Sequence, residues 1–251
     1  MHKRIGKLDP DLADQIAAGE VVERPASIVK EVVENSLDAG SKNIDISVTG
    51  GGLKSIYVSD DGHGIHEADL TLAIQRHATS KISKSEDLLS ISTLGFRGEA
   101  LASIASVSRF KLASRSGQSE SGWMISTAGD SKFSKEPIAH NRGTTVHADE
   151  LFFNVPARRK FLKSERAENR QIETVVKKIS LANMSVAFSY AQSGNSKNER
   201  GLRKLELKAG DPRQRLADVL SPDFVENSIF LDETRNRYRL FGWIGVPSHN
   251  R

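Results

Sequence analysis

The run Lys30-Glu31-Val32-Val33-Glu34-Asn35-Ser36-Leu37-Asp38-Ala39-Gly40 decides how the rest of the chain is read. At about 100° per residue, Glu31, Asn35 and Asp38 (i, i+4, i+7) share one narrow helical face, while Val29, Val32, Val33 and Leu37 cover the other. The pattern predicts a helix from about Ala26 to Ala39, opened by Pro25 and ended by Gly40 at C′. Neither Glu31 nor Asn35 has a lysine or arginine four residues on, as a solvated helix face would favour, and asparagine is a poor helix former because its amide competes with the backbone. Glu and Asn set together in this way point to a general base beside a metal-binding amide. Magnesium suits that pair, since it takes hard oxygen ligands, keeps several waters and shares the rest with substrate phosphates. The reading requires a phosphate-binding loop and a base-recognition element elsewhere.

Just downstream, Ile44, Ile46 and Val48 alternate as a strand, Gly50-Gly51-Gly52 turns, and Leu53 to Ser59 returns, so a β-hairpin delivers Asp60 at its end. Asp60-Asp61-Gly62-His63-Gly64 then reads Asp-x-Gly-x-Gly. Gly62 and Gly64 allow a tight turn and the close approach of a flat ligand, and a strand-end carboxylate accepts from an exocyclic amine. Alone, the run is an acidic turn; beside the preceding helix it is the expected base reader. The later ligands of a calcium loop are missing, and His63 and His66 have no third metal ligand at useful spacing, so both read as exposed loop residues. Upstream, Asp9 caps and Pro10 opens a short helix through Leu12 and Ile16, which Gly19 to Pro25 interrupts.

Gly95 and Gly98 precede Ala100 to Val107, an Ala-rich helix whose opening amides and positive dipole end suit a phosphate; an ordinary loop-to-helix turn has the same look. No Walker A sequence is present. The polar connection from Ser80 to Thr93 reads as a mobile lid or a surface loop. Strands follow at Phe110 to Arg115, Trp123 to Thr127, Lys132 to Ser134 and Thr144 to Ala148, where Thr144 either brings a hydroxyl to a ligand or simply starts a strand. Arg158, Arg159, Lys160 and Lys163 surround Phe161 in a cationic patch fit for phosphate contact or for solvation alone. A helix with Ile172, Val175, Val176 and Ile179 on one side comes next. Strands near Val186 to Gln192 and Leu202 to Leu207 flank a polar turn from Ser193 to Ser196. A boundary near Gly210 divides residues 1–210 from 211–251, where a helix begins at Asp211-Pro212 and two strands lie near Ile229 and Arg239 to Val246. Those last 41 residues are too few for an independent core and read as the start of a second α/β domain.

The 251 residues suit one large domain or one domain and part of another. The chain has no cysteine, which excludes disulfides and thiolate metal sites, and no apolar run long enough to span a bilayer. Its first seven residues lack the apolar core of a signal peptide, so a cytoplasmic protein is expected. The net charge of +4 is unevenly placed: 17 Lys and Arg face 21 Asp and Glu in residues 1–150, against 19 and 11 in residues 151–251. A basic second part is a weak pointer to a polyanion.

In one order, five runs resemble the MutL family of DNA mismatch-repair proteins, within the gyrase, histidine-kinase and MutL ATPase superfamily. They are Ile16-Ala17-Ala18-Gly19-Glu20-Val21-Val22-Glu23-Arg24-Pro25, Glu31-x-x-x-Asn35-Ser36-Leu37-Asp38-Ala39-Gly40, Asp60-x-Gly62-x-Gly64-Ile65, Arg76-His77-Ala78-Thr79-Ser80-Lys81 and Gly95-Phe96-Arg97-Gly98-Glu99-Ala100-Leu101. The resemblance extends through Pro156 to Leu162 and then weakens. It implies an α/β (α+β) two-layer sandwich of mixed β-sheet and helices with an ATP lid, followed by a transducer-like second domain. It also implies an ATPase in which Glu31 is the general base, Asn35 holds Mg2+ and Asp60 reads the adenine amino group. Asp38, Gly62, Gly64, Thr79, Ser80, Lys81 and Thr144 are implied to line the nucleotide, and Leu94, Gly95, Phe96, Arg97, Gly98, Glu99, Ala100 and Leu101 to cradle its phosphates. The loop from Ala78 to Gly98 is expected to order over ATP while the N-terminal arm exchanges across an ATP-dependent homodimer. Arg158, Arg159, Lys160 and Lys163 are expected to face DNA, and MutS and a downstream repair nuclease or helicase are the implied partners. A second-domain lysine that reaches the γ-phosphate in the family lies past this chain, which is expected to be a fragment in which hydrolysis suffers more than binding. Two other readings stay open: the ATPase part of a type II topoisomerase or chaperone relative, which shares Glu31, Asn35 and Asp60 but not the longer runs, and a nucleotide-gated DNA-binding module without turnover.

Overall fold

Ile44, Ile46 and Val48 are buried and alternate with exposed Asn43, Asp45 and Ser47 along β1 (Asn43–Thr49), so this strand has one apolar face and one wet face. The computed structural model describes residues 6–84, 86–87, 93–95, 97–130, 132–194 and 203–247. β2 (Ser55–Asp60) returns antiparallel to β1, with Ile44 opposite Asp60 and Val48 opposite Ile56. The turn between them needs its glycines: Gly52 has φ +82°, and a Cβ there would lie 2.6 Å from the Pro25 side chain. β3 (Arg109–Arg115), β4 (Gly122–Thr127), β5 (Phe133–Ile138), β6 (Gly143–Asp149), β7 (Ala187–Ser193) and β8 (Arg203–Leu207) complete an eight-stranded sheet in the order β5-β4-β3-β6-β2-β1-β7-β8. β1 and β7 run parallel and every other neighbouring pair is antiparallel, so the sheet is mixed.

One face of this sheet carries Ile56, Val58, Phe110, Leu112, Val146, Ala148, Phe188 and Tyr190, all buried, in register with the apolar side of β1. Onto it pack α2 (Pro25–Asp38), through Ile28, Val29, Val32 and Val33, and α6 (Glu165–Ala182), through Ile172 and Val176. Each such side chain contributes about 1.5–3 kcal/mol by leaving water. The opposite face presents Asp45, Ser47, Tyr57 and Lys111 to solvent, which makes a two-layer sandwich with helices on one side. α1 (Pro10–Val21) and α4 (Ala100–Ser106) pack together beside α2, and a short α3 (Leu70–Ala73) follows the loop after β2.

Two elements depart from the sequence reading. α1 continues through Gly19 to Val21 instead of stopping there, since Gly19 keeps a φ outside the left-handed region; the Arg158 guanidinium lies against it, where a Cβ would fall 2.0 Å from Nη2. β5 is longer than Lys132 to Ser134 and includes Pro137, which is tolerated because β5 is an edge strand whose outer amides pair with nothing in the sheet. α3, α5 (Pro156–Phe161) and α8 (Pro222–Glu226) are too short for a helical period to reveal them.

Past Gly210, Asp211 caps α7 (Pro212–Val219) by accepting from Arg213 N at 2.9 Å. α7 reaches back to the first layer through Arg215, which is 1% exposed. Its guanidinium donates to the carbonyls of Ser180, Val186 and Lys208, each at 2.7 Å, and of Leu207 at 3.3 Å, tying the end of α6 to the start of β7 and the end of β8. β9 (Ser228–Arg235) and β10 (Tyr238–Gly245) form a separate antiparallel ribbon. Replacing Arg215 with Met leaves those carbonyls without donors in a dry site, at a cost of about 3 kcal/mol. A thermal melt of Arg215→Met is expected to fall about 6–12 °C below wild type.

Candidate functional site

The apolar face of the sheet ends in a polar row. Asp60 stands opposite Thr144 across β2 and β6, and Thr144 opposite Ser114 across β6 and β3. By the two-residue period, all three point to the helix side, one step past Val58, Val146 and Leu112. Ser114 Oγ accepts from Ile65 N at 2.8 Å, donates to Gly143 O at 2.7 Å and lies 3.0 Å from Thr144 Oγ1. α2 covers the row: Ser36 Oγ lies 2.8 Å from Asp60 Oδ2, while Ser41 Oγ at 3.1 Å and Gly62 N at 2.9 Å meet Oδ1. The Asp60 carboxylate is therefore fixed, with acceptor capacity left on Oδ2. Ser36, Ser41 and Ser114 escaped the sequence reading, although Ser36 stands one helical turn after Val32 on the apolar side of α2 and is 2% exposed.

Asp61 faces the other way. Its carboxylate accepts from Lys42 N at 2.7 Å, Asn43 N at 2.9 Å and Asn43 Nδ2 at 2.6 Å, clasping the start of β1. The glycines of Asp-x-Gly-x-Gly also serve the chain itself. A Cβ at Gly64, where φ is +73°, would lie 2.2 Å from Arg115 O, and one at Gly62 would lie 2.8 Å from the Ala39 side chain.

Glu31, Asn35 and Asp38 share the outer face of α2, at the rim above this row. Lys30, one residue before Glu31, pairs with Glu34 at 2.9 Å and lies 3.4 Å from Glu31 Oε1. Burial works against the Lys30 charge, but the hydrogen bond to Glu34 and the charges of Glu31 and Glu34 outweigh it and hold its pKa above the usual lysine value. Asn35 Oδ1 accepts from Lys81 Nζ at 2.8 Å, and the same ammonium is ion-paired with Asp38. Asp38 also accepts from Leu94 N at 3.0 Å and Gly95 N at 3.3 Å, so residues 81 and 94–95 converge on one carboxylate.

At the neck of that segment Glu99 Oε2 accepts from Arg76 Nη1 at 2.7 Å, while Glu99 Oε1 lies 2.7 Å from His77 Nδ1 without a hydrogen bond. Arg76 reaches on to α1, pairing with the Asp14 carboxylate and donating to Asp14 O at 2.7 Å. Gly98 has φ +64° and closes the neck, since a Cβ there would lie 2.5 Å from Ala78 O. Thr79 Oγ1 accepts from Lys81 N at 3.2 Å, Ser80 and Arg97 are exposed, and Ala100 and Leu101 form the first turn of α4. Phe96 lies outside the described residues. Glu99 thus holds the loop together at its base, set apart from the amides beside it.

The basic patch is divided. Arg158 turns inward, donating to Ile16 O at 3.0 Å and lying against Gly19, so it braces α1. Arg159, Lys160 and Lys163 are exposed around Phe161, which is 87% exposed. His63 and His66 are exposed, and among the described residues no group of three or more His, Asp or Glu side chains is placed to hold a metal. No helix of the described residues is long and apolar enough to cross a membrane.

A family model for histidine kinase-, DNA gyrase B- and HSP90-like ATPases matches residues 23–149, from just before α2 to the end of β6, and the chain belongs to that family. Within it, the similarity is to the DNA mismatch repair protein MutL. The MutL of Cellvibrio japonicus is 46% identical over 254 aligned residues, which cover 99% of this chain and 40% of that protein. The MutL of Pseudomonas putida is 47% identical over 249, covering 99% and 39%. The chain thus spans about 40% of the length of these relatives. Among solved structures, the MutL ATPase domain of Aquifex aeolicus complexed with ADP matches with a TM-score of 0.65 at 32% identity, over 85% of this chain and 73% of that one. The N-terminal domain of a DNA repair protein matches with a TM-score of 0.75 at 26% identity, over 92% and 70%.

The Asp61 clasp gives a pH signature. Burial raises its pKa, but the Asn43 side chain and the backbone amides of Asn43 and Lys42 lower it more, so it sits below the usual carboxylate value. A depressed folded pKa contributes stability that is present above the unfolded value of about 3.9 and is lost as pH falls through the folded one. The urea midpoint of wild type is expected to exceed that of Asp61→Asn at pH 6, with the gap narrowing as the pH falls below the unfolded value.

Proposed function

We propose that this chain is the ATPase module of a DNA mismatch repair protein, which binds Mg-ATP between α2 and the segment 78–98 and hydrolyses it slowly. The observation that carries the reading is the convergence on α2: its inner side fixes the Asp60 carboxylate through Ser36, while its outer side holds both ends of the 81–94 segment through Asp38. The MutL relatives and the ADP complex of the Aquifex domain support it.

In this reading Asp60 Oδ2, with a lone pair to spare beside Ser36, accepts from the adenine amino group, and Thr144 completes that end of the pocket. Gly95 to Leu101 offers backbone amides to the phosphates. Asn35 fits a hard cation, because its oxygen already accepts from an ammonium. Bound magnesium supplies charge neutralisation of the phosphates. Glu31, part-exposed on the same rim and 3.4 Å from Lys30 Nζ, takes a proton from the attacking water. ATP binding then acts as a switch: the segment 78–98 orders over the nucleotide, and Arg76, which joins its neck to α1, couples that change to the N-terminal arm and to dimerisation. DNA contact falls to Arg159, Lys160 and Lys163, and recruitment of MutS and a repair nuclease or helicase to the dimer. Residues 211–251 begin a second domain.

Calorimetry with AMPPNP and magnesium, together with phosphate-release assays, tests the site. Glu31→Ala is expected to bind the analogue like wild type while turnover falls about 10²–10⁴-fold, and Asp60→Asn to lose binding. Unchanged turnover in Glu31→Ala would remove the base assignment, whereas a wild type that binds the analogue and shows no turnover would favour a binding module. Reversing Arg159 and Lys160 to Glu should weaken DNA binding and reduce its log–log salt slope by about 2; an unaltered slope removes the patch from the interface.

A further inference from the structure

We infer that Lys81 is a positioning residue for the metal site, a tethered cation that orients Asn35 and excludes a divalent ion until nucleotide phosphates draw the ammonium away. The inference rests on Asn35 being the metal ligand. A lysine ammonium has three donors and no acceptor, so its contact with Asn35 at 2.8 Å obliges the amide to present oxygen, not nitrogen, to the site. That is the orientation a hard cation requires. The same ammonium is ion-paired with Asp38, and the pair is largely dry, with side-chain exposures of 19% and 10%. Charges held there are weakly screened.

A divalent ion on Asn35 Oδ1 would stand beside the Lys81 ammonium on one oxygen, and close like charges in a poorly solvated site repel strongly. The ammonium therefore has to leave, and a triphosphate, with its dense negative charge and acceptor oxygens, is what can receive it. Thr79 Oγ1 accepts from Lys81 N at 3.2 Å, which anchors the backbone while the long side chain moves. Gly95 closes on the same point: a Cβ there would lie 3.4 Å from Lys81 Nζ and 3.7 Å from Asn35 Oδ1. Gly95 N also donates to Asp38 Oδ2 at 3.3 Å, so residue 95 and the ammonium share one carboxylate. Metal entry then follows nucleotide, and both are tied to the contacts that Lys81 and Gly95 make with Asp38.

Titration of the protein with Mn2+, followed by the electron paramagnetic resonance signal of the free ion, tests this with a readout that needs no turnover. Wild type is expected to take up Mn2+ with AMPPNP and not without it. Lys81→Met and Lys81→Gln, both checked for folding by circular dichroism, are expected to bind Mn2+ without nucleotide at least about 10-fold more tightly than wild type, because the competing charge is gone. Lys81→Arg should keep the exclusion. Adding Asn35→Ala to Lys81→Met should abolish the new binding; if it persists, the ion sits on Asp38 and the inference is overturned. Nucleotide-free binding by Lys81→Met and Lys81→Gln no tighter than wild type, or wild-type uptake of Mn2+ that ignores AMPPNP, overturns it as well. Asn35→Ala alone separates the two levels: if it leaves AMPPNP-dependent uptake unchanged, the metal assignment of Asn35 fails, whereas a loss there without a gain in Lys81→Met overturns only the role of Lys81.

Discussion

The opposition of the two faces of α2 is the constraint on which the rest of the structure depends. Val29, Val32 and Val33 are buried against the sheet, and that burial sets the rotation of the helix about its axis. Once the rotation is set, Ser36 is delivered to Asp60 below, and Glu31, Asn35 and Asp38 to the rim above. A polar substitution at Val33 would cost stability as any core change does, and it would also turn the rim residues away from the strand ends. Core burial and the placing of these polar side chains are thus joined in one 14-residue helix.

A second level of organisation surrounds the 77–98 segment. Its neck is held by the bond of Arg76 to Glu99, and by the close approach of Gly98 to Ala78. Further in, the contacts to the body of the fold converge on Asp38, which gathers the Lys81 ammonium and the amides of Leu94 and Gly95. Among the described residues, Lys81 also donates to Asn35 Oδ1 at 2.8 Å, so Asn35 and Asp38 together hold it to α2. Arg76 extends the neck to Asp14, so α1 and the segment share one hydrogen-bonded junction.

The basic patch shows how residue type and location can part company. Arg158, Arg159 and Lys160 are consecutive and equally cationic, yet Arg158 lies against α1 with its guanidinium on the backbone at Gly19 while its neighbours face water. Gly19 has the look of a helix breaker, yet α1 runs through it and the Arg158 guanidinium lies against it. Similarly, Gly62 and Gly64, placed where a flat ligand would suit them, are demanded first by Ala39 and Arg115 of the same chain.

What the sequence by itself determined is the local periodicity and its punctuation. The polar and apolar sides of α2, the hairpin that ends at Asp60, the glycine that closes the helix and the start of α7 after Asp211 were all legible, because each rests on side chains within a few residues of one another. The order of the five runs carried the family as well. Only the tertiary structure decided that Lys81 sits on Asn35, 46 residues away, that Arg158 reaches Ile16 across 142, that Ser114 and Thr144 join Asp60 in one row, and that Arg215 ties α7 to the carbonyls of Ser180 and Val186. The physical reason is that helix and strand periods are properties of neighbouring dihedrals, whereas these contacts exist only after the sheet has chosen its strand order and the helices their seats on it.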